Sequence, residues 1–204
     1  GIVNKILNGD CEQAISGTTA AKIPEFTIAG TPANLDEETS APLNKTRNYY
    51  FSANDKISQP LAVGRLTAGR AYGIGVKVKA ANGGSGTVTG TLTVKIMDRD
   101  EGTTHGTLTV TLGDLVVNTA TVITPIIFLL PNSAKELKLV VELASLGGTG
   151  ATKRVHFDDI CVAEASLVDG HWVFLYDGQL ATSGNQLGMF RRGDKFTIAT
   201  TSTN

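Results

Sequence analysis

Apolar residues alternate with polar or small residues along four stretches of the chain, at 72–79, 91–96, 107–112 and 137–143. A strand that buries one face and leaves the other in water shows this two-residue period. No segment of helical length sustains a 3.6-residue period. The pattern therefore predicts an all-β protein built from antiparallel strands.

Glycine-rich segments separate the predicted strands. Residues 81–86 and 147–150 both have turn composition. The sequence Gly-Thr-Leu-Thr-Val occurs at 90–94 and again at 106–110, which predicts a hairpin whose two arms share a polar face of threonine. Residues 9–56 contain no long alternating run and are expected to form long loops with short strands.

A domain boundary is predicted near residue 166. Beyond it, the apolar run His-Trp-Val-Phe-Leu-Tyr at 171–176 precedes further short β-like segments. A piece of about 38 residues is too small to build its own core. We therefore expect a main domain at 1–166 and a C-terminal β-hairpin appendage at 167–204, which packs on that domain or on a neighbouring subunit. The expected contact residues are Trp172, Phe174 and Tyr176.

The charge balance excludes a strongly basic or strongly acidic protein. The 204 residues include 18 Lys+Arg and 19 Asp+Glu, for a formal net charge of −1. This balance gives no electrostatic footprint for nucleic acid or an anionic membrane, and neither is expected as a partner. No apolar run approaches the roughly 18 residues of a membrane helix. The first residues also lack the charged head and apolar core of a secretory signal.

The sequence shows no recognisable arrangement of catalytic residues. It contains no Gly-x-Ser-x-Gly elbow, and its three histidines have no metal-ligand spacing. His156 follows the alternation of its strand and is expected on the strand's surface. The chain is therefore predicted to be non-enzymatic.

Three segments, at 6–12, 66–72 and 155–162, together resemble the non-catalytic carbohydrate-binding modules that have a galactose-binding-type jelly roll. The first is similar to that family's opening Asn-Gly-x-Phe-Glu, with Cys11 in place of the aromatic. The second is similar to its Leu-x-Pro-Gly-x-x-Tyr, with Ala68 in place of proline, and the third to its closing strand with an Asp-Asp pair. The resemblance covers about residues 1–165 and implies an antiparallel β-sandwich of jelly-roll type.

The predicted closing strand changes its alternation at Asp158-Asp159. Apolar residues fall on odd numbers before this pair and on even numbers after it. A one-residue slip moves the apolar set to the other face of a sheet, so the slip predicts a β-bulge at this position.

The resemblance also implies a structural calcium ion near this bulge. Carried over to this sequence, its ligands are Glu12 and Asp158, with Asp10 or Asp159 as further candidates. Calcium takes six to eight oxygens, so backbone carbonyls must complete the site. The alternative is that these are ordinary solvated carboxylates at a strand end. Cys11 and Cys161 belong to the same two segments, as a disulfide or as two buried thiols.

Aromatic residues are the candidate contacts for a sugar, because a pyranose ring stacks on an aromatic face. Tyr49 and Tyr50 are the candidates, although adjacent residues of a strand point to opposite faces. The alternative role of both is core packing.

Two classes of function follow. The first is a structural or binding protein of a larger assembly, a capsid decoration or tail component of a bacteriophage or viral particle, located in the virion. Its partners are further copies of the chain or neighbouring shell or tail subunits. This hypothesis rests on the aromatic-poor composition rich in threonine and glycine, and on the apolar appendage. The alternative is an extracellular carbohydrate-binding module of a secreted polysaccharide-degrading enzyme.

Overall fold

The protein is nearly all β. The computed structural model describes residues 4–168, 171–174 and 195–196, and its only helical segments there are two 3₁₀ turns, at Pro32–Asn34 and Leu112–Asp114. No helix in this part of the chain is long and apolar enough to cross a membrane. The strands are β1 (Thr27–Ile28), β2 (Leu35–Glu38), β3 (Asn48–Phe51), β4 (Asp55–Pro60), β5 (Ala71–Asn82), β6 (Thr89–Asp98), β7 (Thr104–Thr111), β8 (Thr121–Val122), β9 (Ile126–Leu129), β10 (Leu137–Gly147), β11 (Lys153–Val168), β12 (His171–Phe174) and β13 (Lys195–Phe196).

The first sheet has five strands in the order β1-β4-β10-β6-β7, and every pair in it is antiparallel. Strands β6 and β7 form the predicted hairpin. Thr91 lies opposite Thr111, and Thr93 lies opposite Thr109. The shared threonine face is therefore confirmed, and it forms part of the outer surface of this sheet.

The second sheet is built around β5 and β11. These two strands pair antiparallel from Lys153 opposite Asn82 to Ala165 opposite Ala71. Strands β8 and β9 also pair with β5, while β3 pairs with β11 and β2 with β3. The strands between residues 27 and 60 are two to six residues long, which confirms the expected loops and short strands of that region.

The core lies between the two sheets, because the alternating strands turn their apolar residues inward. Ile74, Val76 and Val78 of β5 are buried, as are Val94 and Val141 of the first sheet. All five belong to one continuous apolar cluster. The antiparallel strands predicted from the alternation are confirmed, and so is the β-sandwich that the resemblance implies.

The N-terminal segment lies beside β11. The Lys5 amide donates to Val162 O at 2.9 Å, and the Ile160 amide donates to Gly9 O at 2.7 Å. The buried Gln59 of β4 holds the same segment from the other sheet, since its side-chain amide bonds both the N–H and the C=O of Leu7. Residues 4–9 thereby join the two sheets.

The bulge predicted at Asp158-Asp159 is confirmed. The β5–β11 register shifts between Asp158 and Cys161, and Asp159 has a φ of 49°. Before the shift Phe157 faces the core, and after it Ile160 and Val162 do so. The bulge is therefore the physical reason for the change of alternation in the sequence.

Strand β11 continues through the predicted domain boundary and ends at Val168. There β12 pairs with it, from Ala165 opposite Phe174 to Val168 opposite His171, and β13 pairs with β12. The appendage thus begins as an extension of the second sheet. Its other predicted segments, including Tyr176 and residues 187–190, lie outside the described residues.

Candidate functional site

The bulge in β11 places one carboxyl group in the interior. Asp158 is 0% exposed. Its Oδ1 accepts the backbone N–H of Asp159 at 2.7 Å, but its Oδ2 is buried without a hydrogen-bond partner. A buried oxygen of this kind is costly unless it is protonated or meets a cation.

The other three expected calcium ligands lie in the same region, and each has a partner of its own. Asp10 pairs with Lys45 at 2.9 Å. Asp159 accepts the Asn44 side-chain amide at 3.0 Å. Glu12 accepts the backbone N–H groups of Thr46 and Arg47 at 3.2 and 3.5 Å. Among the described residues, no three His, Cys, Asp or Glu side chains are grouped closely enough to hold a metal ion.

Burial dominates the electrostatics at the bulge. It raises the pKa of Asp158 to about 9, and the charges of Asp159 and Glu12 add to this effect, while Lys77 opposes it. The buried Lys77 lies directly across from Asp158 on β5 and donates from Nζ to Leu43 O at 2.7 Å. Without a metal ion, Asp158 is therefore a neutral carboxylic acid at pH 7.

The two cysteines lie near this region as buried, unbridged thiols. Desolvation by burial raises the pKa of both, and nearby aspartates add to the rise. Cys11 has a φ of 51° and contacts Gly9 O through its sulfur. Of the two alternatives for Cys11 and Cys161, a disulfide or two buried thiols, the structure shows two buried thiols.

A second group of polar side chains lies on the outer face of the second sheet. Asp36 of β2, Tyr50 of β3, His156 of β11 and Lys79 of β5 lie opposite one another across four strands. Arg154 and Glu38 lie on the same face in neighbouring rows. We call this surface the Tyr50 face, and it consists of Asp36, Glu38, Tyr50, Lys79, Arg154 and His156.

The side chains of the Tyr50 face contact one another. The guanidinium carbon of Arg154 lies 4.5 Å from the centroid of the Tyr50 ring, and the His156 ring centroid lies 5.1 Å from it. The Tyr50 hydroxyl donates to Asp36 Oδ2 at 3.3 Å. These contacts leave Tyr50 only 7% exposed.

Tyr49 points to the opposite side of β3, as the alternation requires. It is 0% exposed, its hydroxyl donates to Gln13 O at 2.5 Å, and it accepts the side-chain amide of Asn8 at 2.8 Å. The structure therefore places Tyr49 in the interior. Of the two candidate sugar contacts, only Tyr50 reaches an outer face.

His156 is buried, which corrects the expected surface position. It is 3% exposed, and its Nδ1 lies 3.1 Å from the side-chain amide nitrogen of Asn48. Burial lowers its pKa to about 3, and the positive charges of Lys79 and Arg154 lower it further while Glu38 opposes them. His156 lies on the outer face of the sheet, as the alternation predicts, but neighbouring side chains cover its ring.

A depression adjoins the Tyr50 face at one end of the sandwich. Its volume is about 430 Å³, and we call it the end pocket. It lies between the β3–β4 turn, the end of β10 and the start of β11. Its lining residues are Ser52, Ala53, Asn54, Leu146, Ala151, Thr152, Lys153 and Arg154.

Sequence reasoning did not select Arg154, His156 or Lys79. The sequence does indicate on which face Arg154 and His156 lie, through their position in the alternation. Val155 and Phe157 are apolar, so residues 154 and 156 must face outward in a paired strand. Two of the expected partner contacts, Trp172 and Phe174, lie in β12. Trp172 is opposite Leu167 of β11 on one side and opposite Phe196 of β13 on the other.

Comparison with known proteins defines the class of fold. No protein-family model matches the sequence, and no curated protein matches it significantly. Among solved structures, the chain is similar to a CBM4 module, with 22% identity and a TM-score of 0.52 over 78% of this chain and 99% of that one. It is also similar to TmCBM61 in complex with β-1,4-galactotriose, with 16% identity and a TM-score of 0.51 over 79% of this chain and 99% of that one.

A third similar structure is the enzymatically active domain of tailspike protein 4 from bacteriophage CBA120. The identity is 15% and the TM-score 0.52, over 79% of this chain and 21% of that one. At these identities the likeness concerns the fold alone. The fold is the jelly-roll β-sandwich of carbohydrate-binding modules, which confirms the predicted fold class.

Proposed function

We propose that this chain is a non-catalytic binding module and that its ligand is a carbohydrate held on the Tyr50 face. The observation that carries the proposal is the position of this face: charged side chains and the His156 imidazole surround one aromatic ring on the outer side of a sheet. The likeness to nearly the full length of two carbohydrate-binding modules supports it. A module of this kind functions outside the cell as part of a secreted polysaccharide-degrading enzyme.

The chemistry of the Tyr50 face suits sugar hydroxyls. The exposed carboxylate of Asp36 accepts hydrogen bonds, and the half-buried Lys79 and Arg154 donate them. The ring of Tyr50 supplies an edge rather than a broad platform, because it is 7% exposed. Recognition that depends mainly on solvent-exposed hydrogen bonds is weak, so we expect a Kd on the order of 1 mM.

We expect Asp36→Ala to weaken binding about tenfold, because it removes a charged acceptor worth roughly 1.5 kcal/mol. Affinity electrophoresis against a panel of soluble polysaccharides measures the effect. Thr109→Ala is the matched control, since Thr109 is exposed on the outer face of the other sheet. No retardation by any polysaccharide, or equal retardation of both variants, would contradict binding on the Tyr50 face.

A second candidate is a structural protein of a bacteriophage or viral particle, either a capsid decoration or a tail component. Strands β12 and β13 favour it, because they extend one sheet beyond the sandwich, and a sheet edge can pair with a neighbouring subunit. The similar domain in a bacteriophage tailspike supports it. In this case the chain functions in the virion, and its partners are further copies or shell and tail subunits.

Truncation after residue 166 distinguishes the two candidates. If the appendage is an assembly contact, light scattering should show an oligomer for residues 1–204 and a monomer for residues 1–166. Replacing Trp172 and Phe174 with polar residues should have the same effect as the truncation. Two monomers that keep their carbohydrate binding would contradict the assembly role.

We propose in addition that the bulge holds a structural calcium ion. The buried, unpartnered Oδ2 of Asp158 supports this, as does the nearby carboxylate of Glu12, since hard cations bind carboxylate and carbonyl oxygens. Asp158 and Glu12 would be the side-chain ligands, with Asp10 or Asp159 assisting. The ion would neutralise buried charge and join the N-terminal segment to β11.

A further inference from the structure

The end pocket is rich in hydrogen-bond donors and cations. Lys153 and Arg154 supply two positive charges and Thr152 supplies a hydroxyl group, while the Ser52 hydroxyl donates to Asn34 O at 3.2 Å. Asn54 accepts the Leu146 N–H with Oδ1 at 2.7 Å, which leaves its amino group as a further donor. None of the eight lining residues is acidic. The pocket therefore combines donors for hydroxyl groups with an excess of positive charge.

Neither cation of the pocket forms an ion pair with a carboxylate in the described part of the chain. Lys153 Nζ donates to the backbone oxygen of Gly150 at 3.3 Å, and the guanidinium of Arg154 lies over the Tyr50 ring. By contrast, Lys56, Lys95 and Lys138 on the first sheet all pair with glutamates. The cations of the end pocket are available to a negatively charged ligand.

We propose that the end pocket binds the carboxylate of a uronic acid unit, so that the ligand is an acidic polysaccharide. This inference rests on the proposed carbohydrate binding and specifies the class of sugar. Arg154 lines the pocket and also contacts Tyr50, so one chain of sugars lying on the Tyr50 face reaches the pocket. The volume of about 430 Å³ is in the range of small-molecule sites.

The roles within the pocket follow from the geometry of the side chains. The planar guanidinium of Arg154 matches a carboxylate through two parallel N–H···O bonds, and such charge-assisted pairs are about twice as strong as neutral ones. Lys153 adds a point charge. Asn54 and Thr152 are placed to donate to the hydroxyl groups of the same sugar, and the Ser52 oxygen is placed to accept from one. Because the site is open to solvent, salt should weaken binding.

The test uses homogalacturonan in its de-esterified and fully methyl-esterified forms, together with glucuronoxylan and unsubstituted xylan. Within each pair the backbone is the same, and only the charge or the uronate differs. We expect the uronate form to retard the unaltered 204-residue chain at least tenfold more strongly in affinity electrophoresis. A sulfated polysaccharide separates general anion binding from carboxylate recognition, and equal binding of it would overturn the uronate assignment.

Two variants locate the site. Arg154→Gln and Lys153→Gln should each weaken binding of the uronate polymer, Arg154→Gln by about tenfold. Arg65→Gln should have no effect, because this similarly half-buried arginine lies in the β4–β5 loop at the opposite end of the sandwich. Equal retardation by charged and neutral forms would overturn the inference and leave carbohydrate binding intact. No retardation by any polymer would overturn both.

Discussion

Asp158→Asn is expected to be less stable than the parent protein in calcium and more stable in chelator. In calcium the parent gains the binding free energy of the ion, about 2.7 kcal/mol when calcium is present at about 100 times its Kd. The variant loses a charged ligand and gains little. In chelator the variant avoids the burial of a titratable carboxyl group, and the order reverses.

In chelator, the buried carboxyl group of Asp158 makes the free energy of unfolding depend on pH. The pKa of Asp158 is about 9 in the folded protein and near 3.9 in an unfolded chain. The folded state therefore binds more protons than the unfolded state between these values, and its stability falls as the pH rises. At pH 7 the loss is at most about 4 kcal/mol, and Asp158→Asn should abolish it.

Denaturant unfolding of both proteins, in millimolar calcium and in chelator, measures these effects. Asp114→Asn is the control, because Asp114 is an exposed carboxylate in the second 3₁₀ turn and is not one of the proposed ligands. If calcium leaves the parent's free energy of unfolding unchanged, the calcium proposal is wrong. If Asp158→Asn is the less stable protein in both solutions, the carboxyl group has a structural role that needs no metal.

The second large effect is an acid sensitivity caused by His156. Burial lowers its pKa to about 3, whereas the unfolded chain has a histidine pKa near 6.5. At His156 the unfolded state therefore binds more protons below pH 6.5, and the contribution of this residue to stability should fall as the pH falls. The expected loss between pH 6.5 and 4.5 is about 2–3 kcal/mol.

Unfolding across this pH range tests the prediction, and both proteins carry Asp158→Asn, because the protonation of Asp158 would otherwise raise stability by a similar amount as the pH falls. In this background His156→Asn should show a nearly flat profile between pH 6.5 and 4.5, and the protein that keeps His156 should lose stability. Glu38 and Glu101 have pKa values of about 2, so their contributions are lost only below their ordinary value of 4.5. If the two profiles match, the pKa of His156 is the same in the folded and the unfolded protein, and its ring is not buried in solution.

The alternation of apolar and polar residues predicted most of the strands, because a half-buried strand has apolar residues on its buried face and polar residues, at alternate positions, on its exposed face. It also predicted the bulge, since the change of parity at Asp158-Asp159 is itself local. The two-residue strands β1 and β8 have no such signal. They form because longer strands already present an edge with unpaired backbone groups.

The candidate site was less predictable, because it joins residues far apart in sequence. Tyr50 and His156 are neighbours only because β3 and β11 pair. Sequence parity shows that each faces outward, but it does not show which strands lie side by side. The same limit applies to the four carboxylates, which share a region but have separate partners.

The pairing of the N-terminal segment with β11 has a consequence for how the chain acquires its structure. The Lys5 amide and the Gly9 carbonyl find their partners at Val162 and Ile160. During synthesis these partners leave the ribosome last among the strands of the sandwich. The N-terminal segment therefore cannot form its hydrogen bonds to β11, and so cannot join the two sheets, until then. Chains dominated by such distant pairings fold slowly. Until β11 emerges, β5 lacks the strand that pairs with it along its length, so the unpaired edge of β5 is open to misassociation, and a chaperone that holds nascent chains should increase the yield of native protein.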